Sequence, residues 1–389
     1  MKNYDNTVAA CDIKFKSGKG AVLTDTRGKE YIDLLAGVAV NLLGYSDSGL
    51  LAAAEKQMKK YIHLSRIFED ENRKKLAAGL IANSFGNNVY FVNSGAEANE
   101  VAVKMARKWG ILHKKGAYEI ITMYNSFHGR TIAALSATGQ KKFHKYLKPK
   151  SPGFKYAKYN DISDLKKKIS AKTAAVMIEP VQAEGGVNIP SKAYMKQLES
   201  VCRKNKVLLI VDEVQTGLGR TGYLFAYQEF GIVPDIMTLG KGLGGGFPLS
   251  AVVASEKAGK IFCIGDHGTT MGGNPVACAA GNYLMGKINK KSFLAGVKSR
   301  SSYLAEKLKN VSSPLIKEVR GKGFIIGIEF KKNIGPAVTA QALKRGLILN
   351  CPKPNIIRIV PPLVIEKKDI DRAAEIFEKV MKTIQDRHI

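Results

Sequence analysis

The sequence lacks the features that mark disulfide-bonded, metal-binding and membrane proteins. Its five cysteines (Cys11, Cys202, Cys263, Cys278 and Cys351) form no Cys-x-x-Cys pair, so we expect reduced thiols. Its six histidines show no metal-ligand spacing, and we expect no metal. No apolar run reaches the roughly 18–20 residues of a membrane span, and the first residues lack a signal-peptide core. The sequence therefore predicts a cytoplasmic protein that does not contact membranes.

Acidic residues are scarce, with 33 Asp and Glu against 61 Lys and Arg, which gives a net charge of +28. The residues from 141 to 172 are especially basic and also contain five aromatic side chains, namely Phe143, Tyr146, Phe154, Tyr156 and Tyr159. A nucleic-acid-binding surface is one interpretation, which salt-sensitive retention on DNA would test. No nucleic-acid-binding motif accompanies the stretch, so we favour a solvated lysine surface that attracts anionic substrates.

Short apolar runs that end in polar residues alternate with helical patterns. Runs at 119–123, 174–178, 207–211 and 236–239 have the character of strands buried on both faces. Repeated strand and helix of this kind predicts an α/β fold with a mainly parallel sheet. We expect an N-terminal segment at 1–55, a large domain at 56–274, and a smaller α/β domain at 275–389 that begins after Asn274-Pro275.

Two neighbouring strands of the predicted sheet end in an acid and a lysine. Asp212 and Gln215 follow the first strand, and Lys241 follows the second between two glycines. In an open α/β sheet, ligands bind beyond the carboxyl ends of strands. A lysine at such a place could bond to the aldehyde of pyridoxal phosphate, whose ring nitrogen needs a carboxylate such as Asp212. The alternative is a solvent-exposed lysine beside an ordinary turn aspartate.

Two further turns carry candidate site residues, each with a structural alternative. Ser94, Gly95 and Ala96 begin a predicted helix, where free N–H groups bind anions. The same residues also fit a capping box between Ser94 and Glu97. Phe127 could lie against a planar cofactor or pack in the core, and Arg130 could hold a carboxylate.

Glycine-rich segments at 217–222 and 240–245 match Gly-x-Gly-x-x-Gly literally. Neither stands between a strand and a helix, so we do not interpret them as dinucleotide-binding sites. A Walker loop is excluded because Lys241 is followed by glycine.

Six motifs, taken in order, resemble those of the class III pyridoxal-phosphate aminotransferases, and most closely those of the acetylornithine aminotransferase subgroup; they lie at 93–99, 127–131, 179–182, 212–222, 240–242 and 270–275. The resemblance implies a fold-type-I transferase with a large domain around a mainly parallel seven-stranded sheet, and a homodimer with active sites at the subunit interface. It implies transfer of the terminal amino group of N2-acetyl-L-ornithine to 2-oxoglutarate by a ping-pong mechanism, as in arginine biosynthesis.

The resemblance also implies roles for individual residues. Lys241 would bond to pyridoxal phosphate and shuttle a proton, and Asp212 would pair with the ring nitrogen. The rest of the implied cofactor site comprises Ser94, Gly95, Ala96, Phe127, His128, Glu179, Val214, Gln215 and, from the partner subunit, Thr270. The implied substrate site comprises Arg130, Glu184, Arg358, Gly37 and Thr269.

A pairing of Glu184 with Arg358 would let one pocket accept two unlike substrates. An acylated diamine brings a terminal amine to the reacting centre, with no carboxylate beside it. By contrast, 2-oxoglutarate brings a carboxylate directly beside its reacting carbon. We expect Glu184 to neutralise Arg358 in the first half-reaction and to move away in the second.

Gly37 stands where related ornithine enzymes carry a tyrosine, which leaves room for an N-acyl group. Acetylornithine, succinylornithine or succinyl-diaminopimelate therefore fit better than free ornithine or 4-aminobutyrate, although an aminolevulinate precursor is a further alternative. The chain departs from the family pattern at Tyr45, Arg66 and Met271. Arg66 could favour an anionic donor at the substrate entrance, or it could be a surface arginine.

Overall fold

The computed structural model describes residues 11–145 and 147–386 of the chain. Its strands, numbered in chain order, are β1 Phe15–Lys19, β2 Val22–Asp25, β3 Glu30–Asp33, β4 Asn88–Val92, β5 Glu119–Met123, β6 Phe154–Ala157, β7 Thr173–Ile178, β8 Leu208–Asp212, β9 Ile236–Leu239, β10 Ser250–Ala254, β11 Ile316–Lys322, β12 Ile325–Phe330, β13 Leu347–Ile348, β14 Asn350–Lys353 and β15 Ile356–Ile359. The predicted 207–211 strand is shifted by one residue, so that Asp212 is its last member.

Helices occupy most of the intervals between the strands. They are Ser48–Met58, Glu71–Ala82, Gly95–His113, Ile132–Ala137, Ile162–Lys168, Lys192–Lys204, Ala226–Phe230, Glu256–Gly259, Pro275–Ile288, Lys291–Lys309, Gly335–Lys344 and Lys367–Gln385. Short 3-10 helices lie at Lys141–His144 and Lys241–Gly244. Within the described residues, every helix is too short or too polar to cross a membrane.

A seven-stranded sheet in the order β4-β10-β9-β8-β7-β5-β6 forms the centre of the fold. Its strands are parallel except β10, which runs antiparallel to both neighbours. Strands β5, β7, β8 and β9 are buried along their whole length, as expected for strands covered on both faces. The prediction of an α/β fold with a mainly parallel seven-stranded sheet is confirmed.

Two smaller sheets complete the architecture, in the orders β1-β2-β3-β13 and β11-β12-β15-β14. Strands β2 and β3 form an antiparallel hairpin. The parallel pairing of β13 with β3 joins the C-terminal third of the chain to its N-terminal segment. The domain boundaries at 55 and 274 stay a prediction.

The aromatic residues of the basic 141–172 stretch contact other parts of the same chain. The Phe143 ring packs against Phe127, the Phe154 ring lies under Arg107, and the hydroxyls of Tyr156 and Tyr159 donate to backbone carbonyls. Tyr146 lies outside the described residues. These four rings are thus engaged internally and do not form an open stacking surface.

Candidate active site

A cavity lies at the carboxyl ends of the central strands. Nine residues predicted from the sequence line it, namely Gly95, Ala96, Phe127, His128, Glu179, Asp212, Val214, Gln215 and Lys241. Four lining residues were not predicted: Asn99, Gly129, Val181 and Thr216. The cavity brings together residues more than 140 positions apart because the parallel strands β7, β8 and β9 end at the same edge of the sheet.

Asp212 is held by three hydrogen bonds and is only 4% exposed. Its Oδ2 accepts from Asn99 Nδ2 at 2.8 Å and contacts His128 Nδ1 at 2.8 Å, and its Oδ1 accepts from the Val214 N–H at 3.0 Å. A buried carboxylate with several donors is fixed in position. Sequence reasoning missed Asn99. The available signal was a polar residue on the otherwise apolar buried face of the Gly95–His113 helix.

Lys241 begins a 3-10 turn directly after β9. Its backbone is left-handed, with φ at 45°, a strained conformation for a residue with a side chain. Gly242 allows the turn to pack tightly, since a Cβ there would come within 2.3 Å of Leu42 Cδ1. Burial, and then the charge of Arg358, lower the pKa of the Lys241 amine to about 8. A substantial fraction of the amine is therefore unprotonated and nucleophilic near neutral pH.

Glu179 is buried at the wall of the cavity, with its Oε2 accepting from the Phe127 N–H at 3.0 Å. Burial, and then the charge of Asp212, raise the pKa of the Glu179 carboxyl well above its usual range. Ionisation is therefore disfavoured at Glu179.

Glu184 and Arg358 form a salt bridge, with Oε1 2.6 Å from Nη1. The same Nη1 donates to Gln215 Oε1 at 3.2 Å, and Nη2 donates to Asn350 Oδ1 at 2.7 Å. Burial alone would raise the pKa of Glu184, but the charge of Arg358 and its hydrogen bond outweigh burial and lower it. Gln215 thus connects the Asp212 segment to the arginine.

Arg130 lies at the exposed side of the cavity. Its guanidinium is 4.4 Å from the centre of the Phe143 ring and 5.5 Å from that of Phe127. Phe127 is partly buried and both lines the cavity and packs against Phe143, so the two sequence interpretations of Phe127 are not exclusive. Two aromatic rings therefore contact the Arg130 guanidinium, and within the described residues no carboxylate forms a salt bridge with it.

Ser94 caps the Gly95–His113 helix, with its Oγ accepting from the Glu97 N–H at 3.2 Å. The expected return bond of a capping box is absent in the described residues, since the Glu97 carboxylate accepts from the Asn93 N–H at 2.7 Å. Gly95 packs closely against Val214, because a Cβ on Gly95 would come within 2.5 Å of Val214 Cγ1. The helix N-terminus therefore opens into the cavity at Gly95 and Ala96.

Seven predicted site residues are absent from the cavity lining of this chain, namely Ser94, Arg130, Glu184, Arg358, Gly37, Thr269 and Thr270. Gly37 belongs to a left-handed turn, Ala36–Ala39, in which all four residues have positive φ. Thr269 Oγ1 accepts from the Gly272 N–H at 3.1 Å, and Thr270 is exposed. Arg66, whose alternatives were an entrance cation or a surface residue, has a pKa lowered by burial and then by the charge of Arg73.

A strand-end lysine with a lowered pKa and a fixed, buried carboxylate line one cavity, an arrangement suited to forming a bond between an amine and a carbonyl compound. Residues 3–381 match the family model described as aminotransferase class-III. The chain belongs to this family.

Similar proteins share the fold over nearly the whole chain. An acetylornithine aminotransferase from Caldanaerobacter subterraneus is 44% identical over 376 residues, which cover 96% of this chain and 95% of the relative. The N-acetylornithine aminotransferase structure from Stenotrophomonas maltophilia has a TM-score of 0.85 at 33% identity and covers 98% of this chain and 97% of its own. A Toxoplasma gondii ornithine aminotransferase, described with partial occupancy of PLP at its active site, has a TM-score of 0.95 at 31% identity, covering 99% and 93%.

Proposed function

We propose that this aminotransferase moves the terminal amino group of N2-acetyl-L-ornithine to 2-oxoglutarate, producing N-acetylglutamate 5-semialdehyde and glutamate. The observation that carries the proposal is the Glu184–Arg358 salt bridge beside Lys241, because it provides one pocket with two charge states for two unlike substrates. The names of relatives at 41–45% identity support acetylornithine as the donor.

The cavity fits pyridoxal 5'-phosphate, which we propose as the cofactor. Lys241 offers an amine of lowered pKa to the aldehyde, and Asp212 offers a fixed anion to the ring nitrogen. Gly95 and Ala96 expose a helix N-terminus suited to the phosphate. When bound, the cofactor supplies an aldehyde that takes up the amino group and a ring that withdraws electrons from the reacting carbon.

His128 and Asn99 both contact Oδ2 of Asp212, and the Val214 N–H donates to Oδ1. The carboxylate is therefore held at both oxygens. We propose that Phe127 covers one face of the cofactor ring and that Val214 covers the other, with Ser94, Glu179 and Gln215 completing the pocket. Lys241 Nζ is the base that moves a proton from the reacting carbon.

In the donor half-reaction, we assign the carboxylate of the acylated ornithine to Arg130. Glu184 neutralises Arg358 at this stage, so the pocket does not select a carboxylate beside the reacting amine. In the acceptor half-reaction, Glu184 leaves and Arg358 binds the carboxylate adjacent to the keto carbon of 2-oxoglutarate. Arg130 then holds the distal carboxylate in the two-pronged geometry available to a guanidinium.

Gly37 and Thr269 are the residues we assign to the acyl end of the donor. The three atoms nearest to a Cβ on Gly37 would belong to Asn41 and Val40, the nearest at 3.4 Å. The space beside this turn suits an N-acyl group better than a bare amine. Succinylornithine, succinyl-diaminopimelate, ornithine and 4-aminobutyrate are the alternative donors.

We also propose a homodimer in which Thr270 of each subunit reaches the phosphate site of the other. Thr270 is exposed in the single chain, and several large apolar side chains nearby or in the 61–68 segment are exposed as well, namely Ile62, Ile67, Phe68, Ile264 and Met271. Exposed apolar groups of this size are typical of an interface.

A donor screen with purified enzyme and 2-oxoglutarate tests the proposed function. We expect the highest kcat/KM for acetylornithine among acetylornithine, succinylornithine, succinyl-diaminopimelate, ornithine and 4-aminobutyrate. A higher value for ornithine or 4-aminobutyrate would overturn the assignment of an acylated donor. A higher value for a succinylated donor would overturn the acetyl group alone.

A further inference from the structure

Arg358 has two hydrogen-bond partners besides Glu184. It is 1% exposed, and two neutral amide oxygens, Gln215 Oε1 and Asn350 Oδ1, accept from its guanidinium at 3.2 and 2.7 Å. The Glu184 side chain is 26% exposed. Movement that separates the pair therefore belongs to the glutamate.

The backbone on either side of Glu184 is fixed, so that movement is confined to its side chain. Gln182 and Asn188 exchange backbone hydrogen bonds of 3.0 and 3.3 Å across the loop. Arg320 donates to the Gly186 and Val187 carbonyls at 2.6 and 3.0 Å. Rotation of the Glu184 side chain moves its carboxylate without disturbing these bonds.

A carboxylate that leaves a buried arginine needs a second stabilising partner, because an unpaired charge in a partly buried site is costly. The charge of Lys142 also lowers the pKa of Glu184, by less than Arg358 and Lys241 do. Lys142 lies on the exposed 3-10 helix beside Arg130, with its Nζ 4.8 Å from the centre of the Phe143 ring. The loop that carries Glu184 packs against the segment that leads to this helix, since a Cβ on Gly185 would come within 2.3 Å of the Asn125 carbonyl oxygen, and Gln140, which precedes the helix, donates from Nε2 to the Ser126 carbonyl at 3.0 Å.

Lys353 adds a second cation to the same place. Its Nζ lies 3.5 Å from the point where a Gly186 Cβ would be, two residues beyond Glu184. Burial, and then the charge of Lys142, lower the pKa of Lys353. In the described part of the chain neither lysine forms a salt bridge with a carboxylate. Glu329, whose charge acts on Lys353, is paired with Lys317 and Arg320. Two neighbouring unpaired cations favour the arrival of an anion.

We propose that Lys142, assisted by Lys353, receives the Glu184 carboxylate when it leaves Arg358 for the 2-oxoglutarate half-reaction. This inference rests on the proposed function, in which Glu184 alternates between two states. The lysines are positioning residues that act through Glu184: they lower the free energy of its outward state and so increase the fraction of enzyme whose Arg358 is free for substrate.

Separate measurement of the two half-reactions, by the absorbance change of bound cofactor, tests this role. We expect Lys142→Ala to reduce kcat/KM for 2-oxoglutarate about fivefold, because an exposed ion pair contributes at most about 1 kcal/mol. The acetylornithine half-reaction should be unchanged. Lys142→Arg should restore the rate. Lys141→Ala is the matched control, since it removes the neighbouring charge from the same 3-10 turn.

The Glu184→Ala background separates this role from simple attraction of an anionic substrate. We expect Lys142→Ala to have no further effect there, because the carboxylate that it receives is missing. A persisting loss in that background, or a Lys142→Ala enzyme that equals the parent in both half-reactions, would overturn the inference. Failure of the parent enzyme to use acetylornithine would instead overturn the proposed function.

Discussion

The two carboxylates of the site, Asp212 and Glu184, are built in opposite ways. Asp212 ends a fully buried central strand, is 4% exposed, and is held by Asn99, His128 and the Val214 N–H. Glu184 lies on a loop before two glycines, is 26% exposed at its side chain, and has Arg358 as its hydrogen-bonded partner.

The difference separates what must stay constant from what must change. In the proposed mechanism, the partner of the cofactor ring serves both half-reactions, so a rigid and desolvated carboxylate suits it. The residue that distinguishes donor from acceptor must adopt two states of similar free energy. A single ion pair on an accessible side chain allows this, whereas a three-bonded buried carboxylate does not.

Asp212→Asn should reduce the rates of the half-reactions more than any substitution of Glu184. We expect a loss of about a thousandfold in both half-reactions, since the site loses a buried anion whose partners remain. Single-turnover rates with each substrate check this. Asp235→Asn is the control, because Asp235 accepts from the Leu209 N–H near the opposite end of the same strand. A loss confined to one half-reaction would contradict a constant role for Asp212.

The rigid half of the site also predicts a pH dependence. The pKa of Lys241 is lowered to about 8 by burial and by Arg358, so its amine loses its proton as the pH rises through that value. Between pH 6 and pH 8 we expect the initial rate of pyridoxal phosphate capture by apoenzyme to rise about fiftyfold, following the neutral fraction of the amine. It should then level off above pH 9. A rate that keeps rising to pH 10.5 would indicate an ordinary lysine.

Glu184→Ala tests the carboxylate that changes its partner between the two half-reactions. Without the glutamate, Arg358 stays unpaired and attracts the α-carboxylate of a donor. We expect reaction at the α-amine of glutamate to rise about tenfold relative to reaction at the terminal amine of acetylornithine. Half-reaction rates with the two donors measure the ratio. Glu318→Ala, which removes an exposed partner of Arg320, should leave the ratio unchanged; an unchanged ratio in Glu184→Ala would contradict the charge-switch role.

The smallest expected effect concerns the donor end. Gly37→Tyr should lower kcat/KM for acetylornithine several-fold relative to ornithine, because the ring fills the space beside the turn. Gly37→Ala is the control for backbone strain at φ 62°, which costs on the order of 1 kcal/mol. Steady-state kinetics with both donors distinguish the two causes. An equal change in the two variants would indicate strain in place of filled space.

Much of the fold followed from local pattern. The Glu119–Met123 strand begins and ends where the sequence predicted it. Asp212 and Lys241 were expected to lie together because parallel strands end at one edge of a sheet, and β8 and β9 are adjacent. Such placement depends only on strand order and direction.

Contacts between distant segments could not be derived in this way. Asn99 was missed because its contact with Asp212 depends on how the Gly95–His113 helix is rotated on the sheet. The hydrogen bond between Arg358 and Gln215 joins strand β15 of a small sheet to the loop after β8 of the central sheet, and the two residues are 143 positions apart. The pairing of Glu184 with Arg358 was expected only through the resemblance to a family, and no local pattern in either segment predicts it.

Reduction of the cofactor-loaded enzyme with borohydride, followed by peptide mapping, tests the central claim most directly. We expect a pyridoxyl group fixed on the Lys241 side chain, and we expect Lys241→Ala to yield a folded protein with no such label and no yellow absorbance. A label on another lysine, or a wild-type protein that stays colourless with pyridoxal phosphate, would contradict it.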